Sequence, residues 1–329
     1  LRFETVPTLE AEGALLAHGQ TLGDTRWSKG RILSADDLRI AAAAGVSRLT
    51  VARLEPDDIG EDEAAGRLAA ALAGPGITAL PAAHGRANLA AGGDGLIAFG
   101  PAMVDAVNLL DEALTLGTLP PLARVAPGEI VATIKVIRYA VPGATLAAAI
   151  AAAEPMCLHP FQPRTIALLA TRLPGLADKA IAKTNRITRA RVEALGSFFI
   201  NAGAVAHQVQ ALADALAQRS EDILLIVGAS ASVDRADVIP AAIVAAGGEI
   251  IRLGMPVDPG NMLVLGRLGG RPVIGLPGCA RSPKRNGLDI VLERLVAGLA
   301  VTSADIARMG TGGLLPDAER PLPRSVNAS

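Results

Sequence analysis

Aromatic side chains make up only 2% of the 329 residues. That is too few for the stacked Phe, Tyr and Trp platforms on which single-stranded nucleic acid lies. Charge of one sign is also lacking. With 31 basic and 32 acidic residues, the chain has no global field to draw a polyanion or an anionic membrane, so any anion site has to be local. The two cysteines, Cys157 and Cys279, have no metal-ligand spacing and are too few for a disulfide framework. A reducing cytoplasm is the expected setting. No uncharged apolar run reaches the roughly 18 residues needed to span a bilayer, and the run Ala147 to Ala153 stops far short. The start Leu1-Arg-Phe-Glu-Thr does not read as a signal peptide, and without an initiator Met it is expected to be a processed or an artificially cut end. Neither nucleic acid nor membrane is expected as a partner.

Apolar residues, by contrast, are plentiful at 50%, enough to bury cores in two domains. Pro155, Pro160 and Pro163 punctuate a connector, since each removes a backbone donor and restricts the residue before it. A boundary there gives an N-terminal α+β region over 1–163 and an α/β domain over 164–312, and the proline-rich residues 313–329 read as a linker or tail. In the first region, Thr8 to His18 is expected to be a short helix. Ser34 with Asp37 makes a capping box for a helix ended by Gly45. Glu61 to Ala73 and Met103 to Leu114 read as helices, and Ile130 to Arg138 alternates as a strand.

From Arg164 the order becomes regular. Strand Thr165 to Ala170, a helix from a cap at Thr184 or Asn185 to Asn201, and strand Ala204 to His207 are expected. Arg186, Arg189 and Arg191 are placed on the wet face of that helix. Helix Val209 to Gln218 and strand Ile223 to Val227 follow, with a helix capped at Asp237, strand Glu249 to Leu253 and a hairpin turning at Gly269-Gly270. The last helix runs from Gly287 to Leu299.

Two loops carry the chemistry. After strand Ile223 to Val227, the run Gly228, Ala229, Ser230, Ala231, Ser232 has almost no side chain, so its backbone can approach a ligand while two hydroxyls remain to bond an anion. After Val273-Ile-Gly-Leu276 comes Pro277-Gly278-Cys279-Ala280-Arg281-Ser282-Pro283-Lys284-Arg285, with three cations in a Gly/Pro-bounded turn before a helix N-terminus. That pattern suits a phosphate, although solvated loop charges have the same composition. Cys279 has no identifiable base beside it and reads as structural or ligand-lining. Asp234 and Asp237 could hold Mg²⁺ against a phosphate or act catalytically, with helix capping as the plainer role of Asp237. His18, His84, His159 and His207 lack ligand spacing and read as structural or surface residues. A Walker sequence and a full Gly-x-Gly-x-x-Gly are both missing, which makes an oxidoreductase-like nucleotide fold the weaker alternative.

The order of strand, Gly-small-Ser loop, Asp237-Val-Ile-Pro-Ala-Ala242, Gly-Gly, Met-x-Val-x-Pro-Gly and Gly-Arg-Leu-Gly-Gly-x-Pro-Val-Ile-Gly-Leu-Pro-Gly resembles the molybdopterin-binding domain shared by molybdopterin adenylyltransferases and molybdopterin molybdotransferases. The resemblance covers about Arg164 to Leu299. Lys29-Gly-Arg-Ile-Leu-Ser-Ala-Asp-Asp-Leu-Arg-Ile-Ala-Ala-Ala-Ala-Gly-Val46 is similar to a stretch that precedes that domain in the molybdotransferases. It implies a three-layer α/β sandwich around a mostly parallel sheet, with the pterin phosphate bound at strand ends by Gly228, Ala229, Ser230, Pro277 and Gly278. Asp237 falls where the adenylyltransferases carry an Asp. Ala229 replaces the second Gly of the first loop, Cys279-Ala280 replaces Asn-Pro, and Thr171-Arg-Leu-Pro-Gly175 lacks the carboxylates of the molybdotransferase stretch. The resemblance therefore implies a protein of molybdenum-cofactor biosynthesis that binds molybdopterin or the molybdenum cofactor, more a binding module than a complete enzyme.

The Cys-Ala-Arg-Ser-Pro version resembles the molybdopterin-binding part of bacterial proteins that continue into a nucleotidyltransferase domain, which makes such a domain and a recipient molybdoenzyme the implied protein partners. A homo-oligomer is the expected assembly. The alternative reading is a Mg²⁺-dependent nucleotidyltransferase or pyrophosphatase, built on Asp234 or Asp237 with Ser230 and Ser232.

Overall fold

In the computed structural model, which describes residues 1–174 and 178–315, the chain is an α/β protein dividing into two compact units, Leu1–Pro160 and Phe161–Ser329. The expected linker over 313–329 lies almost wholly outside the described residues.

The first unit is built on a four-stranded antiparallel sheet in the order Leu114–Thr118, Ile130–Val136, Arg86–Ala91, Ile77–Ala79. Helices Glu61–Leu72 and Pro101–Asn108 pack on it and Gly143–Ala152 packs on those helices, burying Leu68, Leu72, Leu89, Ile134 and Leu146 in one cluster. A smaller cluster gathers Leu16, Trp27, Leu33 and Leu38. Its helix Ala35–Ala43 starts with the expected capping box, in which Ser34 and Asp37 each accept the other's backbone N–H. Two expectations fail here. Thr8–Glu10 is a single 3-10 turn rather than the short helix expected over Thr8 to His18, because Gly13 turns left-handed at φ 73° and the chain continues into the strand Leu15–Leu16. The helix from Pro101 ends at Asn108, whose side-chain amide is drawn onto the backbone N–H and C=O of Leu116, so Leu114 begins a strand.

Elements of the second unit are numbered in chain order. They are β1 (Thr165–Arg172), α1 (Asp178–Glu193), β2 (Phe198–Ala206), α2 (Val209–Ala217), β3 (Ile223–Val227), α3 (Val238–Ala245), β4 (Glu249–Leu253), β5 (Val264–Leu268), β6 (Arg271–Gly275) and α4 (Gly287–Val296). The sheet runs β2-β1-β3-β6-β5-β4. β2, β1, β3 and β6 pair in parallel, while β5 pairs antiparallel with both β6 and β4. β5 is thus the one reversed strand, and the β5–β6 hairpin turns at Gly269-Gly270 as expected, both glycines left-handed.

Central β3 is apolar at every position because it is covered on both faces. Ile223, Leu225 and Val227 join one cluster with Val192 of α1 and Leu288, Leu292 and Val296 of α4. Leu224 and Ile226 join the opposite cluster with Leu212 and Leu216 of α2 and Ile239 and Ile243 of α3. Helices, sheet and helices thus form three layers.

The α1–β2 boundary differs from expectation. Gly196, left-handed at φ 67°, terminates the helix seven residues before the Gly203 that composition suggested. Phe198 and Phe199 consequently lie in a strand, where large apolar residues are favoured. Thr184 does not cap; it sits inside α1 and its hydroxyl donates to the Ala180 carbonyl at 3.0 Å.

Candidate functional site at the strand ends

Parallel strands bring their carboxyl ends to one edge of a sheet, and that edge is where α/β folds place ligands. Here β1 ends at Thr171-Arg172, β2 leads to His207, β3 leads to Gly228–Ser232, and β6 leads to Pro277–Arg281. The two loops singled out in the sequence are neighbours, and they are joined. Arg281 Nη2 donates to the Gly228 carbonyl at 2.6 Å. Gly228 is required for the turn that makes this approach possible, since a Cβ there would lie 2.5 Å from the Ser230 carbonyl oxygen and 2.9 Å from Ile239 Cδ1.

A second set of bonds shapes the first loop. The Ala229 N–H donates to Thr171 Oγ1 at 2.9 Å, Thr171 Oγ1 lies 2.8 Å from His207 Nδ1, and His207 Nε2 lies 3.0 Å from Ser230 Oγ. Thr171 is buried and Ser230 is exposed. His207, read from sequence as a structural or surface residue, is therefore in contact with the loop. No spacing rule could have found it, because Thr171, His207 and Ser230 come from three different strand ends. Beneath them a cavity of about 10 Å³ is lined by Thr171, Thr184, Gly228 and Arg281. It is about the size of one water molecule, so a larger ligand has to sit outside it.

The second loop is held from behind. Arg191 of α1 donates from Nε to Asp289 at 2.8 Å, from Nη1 to the Ala280 carbonyl at 2.6 Å, and from Nη2 to the carbonyls of Ser282 and Lys284. Its side chain is only 8% exposed, so the wet-face placement is corrected. A guanidinium with five donors can satisfy a run of loop carbonyls that would otherwise face the protein unpaired. Arg285 is turned away from the loop mouth, forked onto Glu293 at 2.5 and 2.7 Å, and the carboxylate beside it raises its pKa. Burial pushes the Cys279 thiol upward, against smaller opposing pulls from a backbone hydrogen bond and from nearby Arg191, which disfavours the thiolate form.

The acids take structural positions. Asp237 stands at the N-cap of α3, but its carboxylate reaches back to the N–H groups of Val233 at 2.6 Å and Asp234 at 3.0 Å. Those bonds hold its pKa below the ordinary carboxylate value. Asp234 accepts the Ala236 N–H at 2.8 Å in a local turn. Among the described residues, no group of three or more His, Cys, Asp or Glu is placed to hold a metal ion. Nor is any helix of the described residues long and apolar enough to cross a membrane.

The Lys29–Arg31 segment lines a separate cavity of about 1200 Å³ in the first unit, with Glu61, Asp62, Lys135 and Arg138. Most of its charges are paired: Arg31 with Asp37, Lys135 with Glu61, and Arg138 with Glu112.

No family model and no curated protein matches the chain. Among solved structures it is similar to a molybdopterin biosynthesis MoeA protein from Pyrococcus horikosii, with 14% identity, 90% of this chain and 75% of that chain covered, and a TM-score of 0.32. It is also similar to a molybdenum cofactor biosynthesis protein from Pyrococcus furiosus, with 12% identity, 91% of this chain and 66% of that chain covered, and a TM-score of 0.27. Similarity at this level leaves function to be argued from the residues.

Proposed function

We propose that the second unit binds a molybdopterin-type ligand by its phosphate at the carboxyl ends of β1, β3 and β6, and that the protein serves molybdenum-cofactor biosynthesis as a binding or handover module. The observation that carries this reading is the bond from Arg281 to the Gly228 carbonyl. It sets a cation and a side-chain-poor loop side by side where parallel strands end, which is the arrangement a phosphate needs.

The residues present suit that group. Gly228 keeps the loop backbone free of a Cβ, and Ser230 presents an exposed hydroxyl. Motif order from Asp237 to Gly278, which resembles the molybdopterin-binding domains, supports the choice of ligand. The carboxylates do not favour the Mg²⁺-dependent alternative, because Asp234 and Asp237 already serve backbone N–H groups. Calorimetric titration of molybdopterin into the protein tests the reading, and an Arg281→Ala variant that binds as well as the parent would count against the loop assignment.

A further inference from the structure

The hydrogen bonds among Thr171, His207 and Ser230 fix more than the shape of a loop. Thr171 Oγ1 already accepts the Ala229 N–H, so its own proton needs an acceptor, and among the described residues His207 Nδ1 at 2.8 Å offers one. A ring nitrogen that accepts cannot carry a proton. An accepting Nδ1 puts the proton of the neutral imidazole on Nε2, 3.0 Å from Ser230 Oγ. Ser230 makes no other hydrogen bond to a described residue, and it is exposed. Its own O–H is left to point outward.

All four donors then run in one direction, from the Ala229 amide through Thr171 and His207 to the Ser230 hydroxyl. Bonds aligned head to tail polarise one another, so the last donor is strengthened by those behind it. The array begins and ends on adjacent residues of the loop that Arg281 clasps. Its exposed end, the Ser230 hydroxyl, has its proton free to offer outward.

We infer that Ser230 Oγ is the donor that meets a phosphate oxygen at this site, and that His207, held as its Nε2–H tautomer by Thr171, is the positioning residue for that donor. The inference rests on the strand-end binding reading and names the ligand group it recognises: an ionised phosphate oxygen, which accepts without offering a proton. The acid whose charge reaches His207 is Asp237. Its Oδ2 is occupied by the Val233 and Asp234 amides, which soften its repulsion of an incoming anion.

The test is nitrogen-15 NMR of the imidazoles in the full chain, with His207 assigned by the signal lost in His207→Gln and inorganic phosphate as the probe. The expected result is a His207 ring protonated on Nε2, whose resonance moves as phosphate is added. Ser230→Ala should leave the tautomer in place and weaken phosphate binding by about tenfold or more, the loss of one hydrogen bond to a charged group. Ser230→Thr should restore it. Thr171→Val should release the tautomer and Thr171→Ser should keep it, which covers the case of a valine variant that folds poorly. A ring protonated on Nδ1, or a His207 signal that phosphate leaves unmoved, overturns the inference. A purely structural array would give the second result. If phosphate moves His207 while molybdopterin fails to bind, the pterin reading falls and the array stands. If molybdopterin binds without moving His207, the array alone is overturned.

Discussion

Arg281 Nη2 lies 2.6 Å from the carbonyl oxygen of Gly228, so two loops from strands β3 and β6 are fastened by one side chain. Truncating it removes a charge-assisted hydrogen bond and leaves a carbonyl less well satisfied. Arg281→Ala is expected to lower stability by about 1.5–3 kcal/mol and to weaken phosphate-bearing ligands. Urea unfolding followed by circular dichroism gives the first quantity and calorimetry the second.

Arg191 predicts a larger effect without any contact to ligand. Replacing it with Met leaves the Asp289 carboxylate, which is 15% exposed, without its cation and with the Asn286 N–H as its remaining donor, and removes donors from the Ala280, Ser282 and Lys284 carbonyls. A loss of about 3–5 kcal/mol is expected, the usual cost of breaking a buried pair by removing one partner. Arg191→Lys should recover little, because a single ammonium cannot reach several acceptors held in a fork. Denaturant midpoints of the three proteins decide it, and equal midpoints for Lys and Arg would contradict the bracing role.

At Gly228 the prediction concerns space. A methyl group would meet the Ser230 carbonyl at 2.5 Å and Ile239 at 2.9 Å, and the carbonyl cannot yield without opening the turn. Gly228→Ala should cost about 1–3 kcal/mol and reduce ligand affinity more than it changes the fold. Calorimetry on a variant with a parent-like circular dichroism spectrum is the check.

The first unit predicts a pH effect. The hydrogen bond from Arg31, opposed by burial and helped by the Ser34 amide, lowers the Asp37 carboxyl from 3.8 to about 2. A folded-state value below the unfolded one means that stability is present above 3.8 and is lost as the pH falls through about 2. The parent should therefore lose stability on acidification across that window more steeply than Asp37→Asn. Asp37→Asn should itself be weaker at neutral pH by about 1–2 kcal/mol through the lost cap partner. Thermal unfolding of both proteins as a function of pH measures the difference.

Much of this was legible in the residues. The apolar run Ile223 to Val227 ending in Gly228, the hairpin at Gly269-Gly270, and the capping box of Ser34 and Asp37 depend on local rules, and the structure contains each. Where local signals competed, the reading went astray. Gly196 and Gly203 are both left-handed, yet only Gly196 ends the helix, because Phe198 to Ile200 find partners beside β1. Arg191 looked like a surface charge since a helix with a basic face usually stays wet, and only the loop carbonyls packed against α1 reveal its task. His207 was hidden for a related reason. Its partners Thr171 and Ser230 are 36 and 23 residues away, and only the parallel pairing of the strands brings them together. Asp237 stands at the start of α3 as the local signals indicate, but that its carboxylate serves the preceding loop is visible only in the structure.

The central claim is that the clasped loops at the strand ends hold the phosphate of a molybdopterin-type ligand. Its most direct measurement is a calorimetric titration of molybdopterin into the parent, Arg281→Ala and Gly228→Ala proteins, with inorganic phosphate as competitor. The account predicts saturable binding to the parent, displacement by phosphate, and affinity reduced by about tenfold or more in each variant. Absence of binding to the folded parent, or binding that neither phosphate nor the two substitutions disturb, would contradict it.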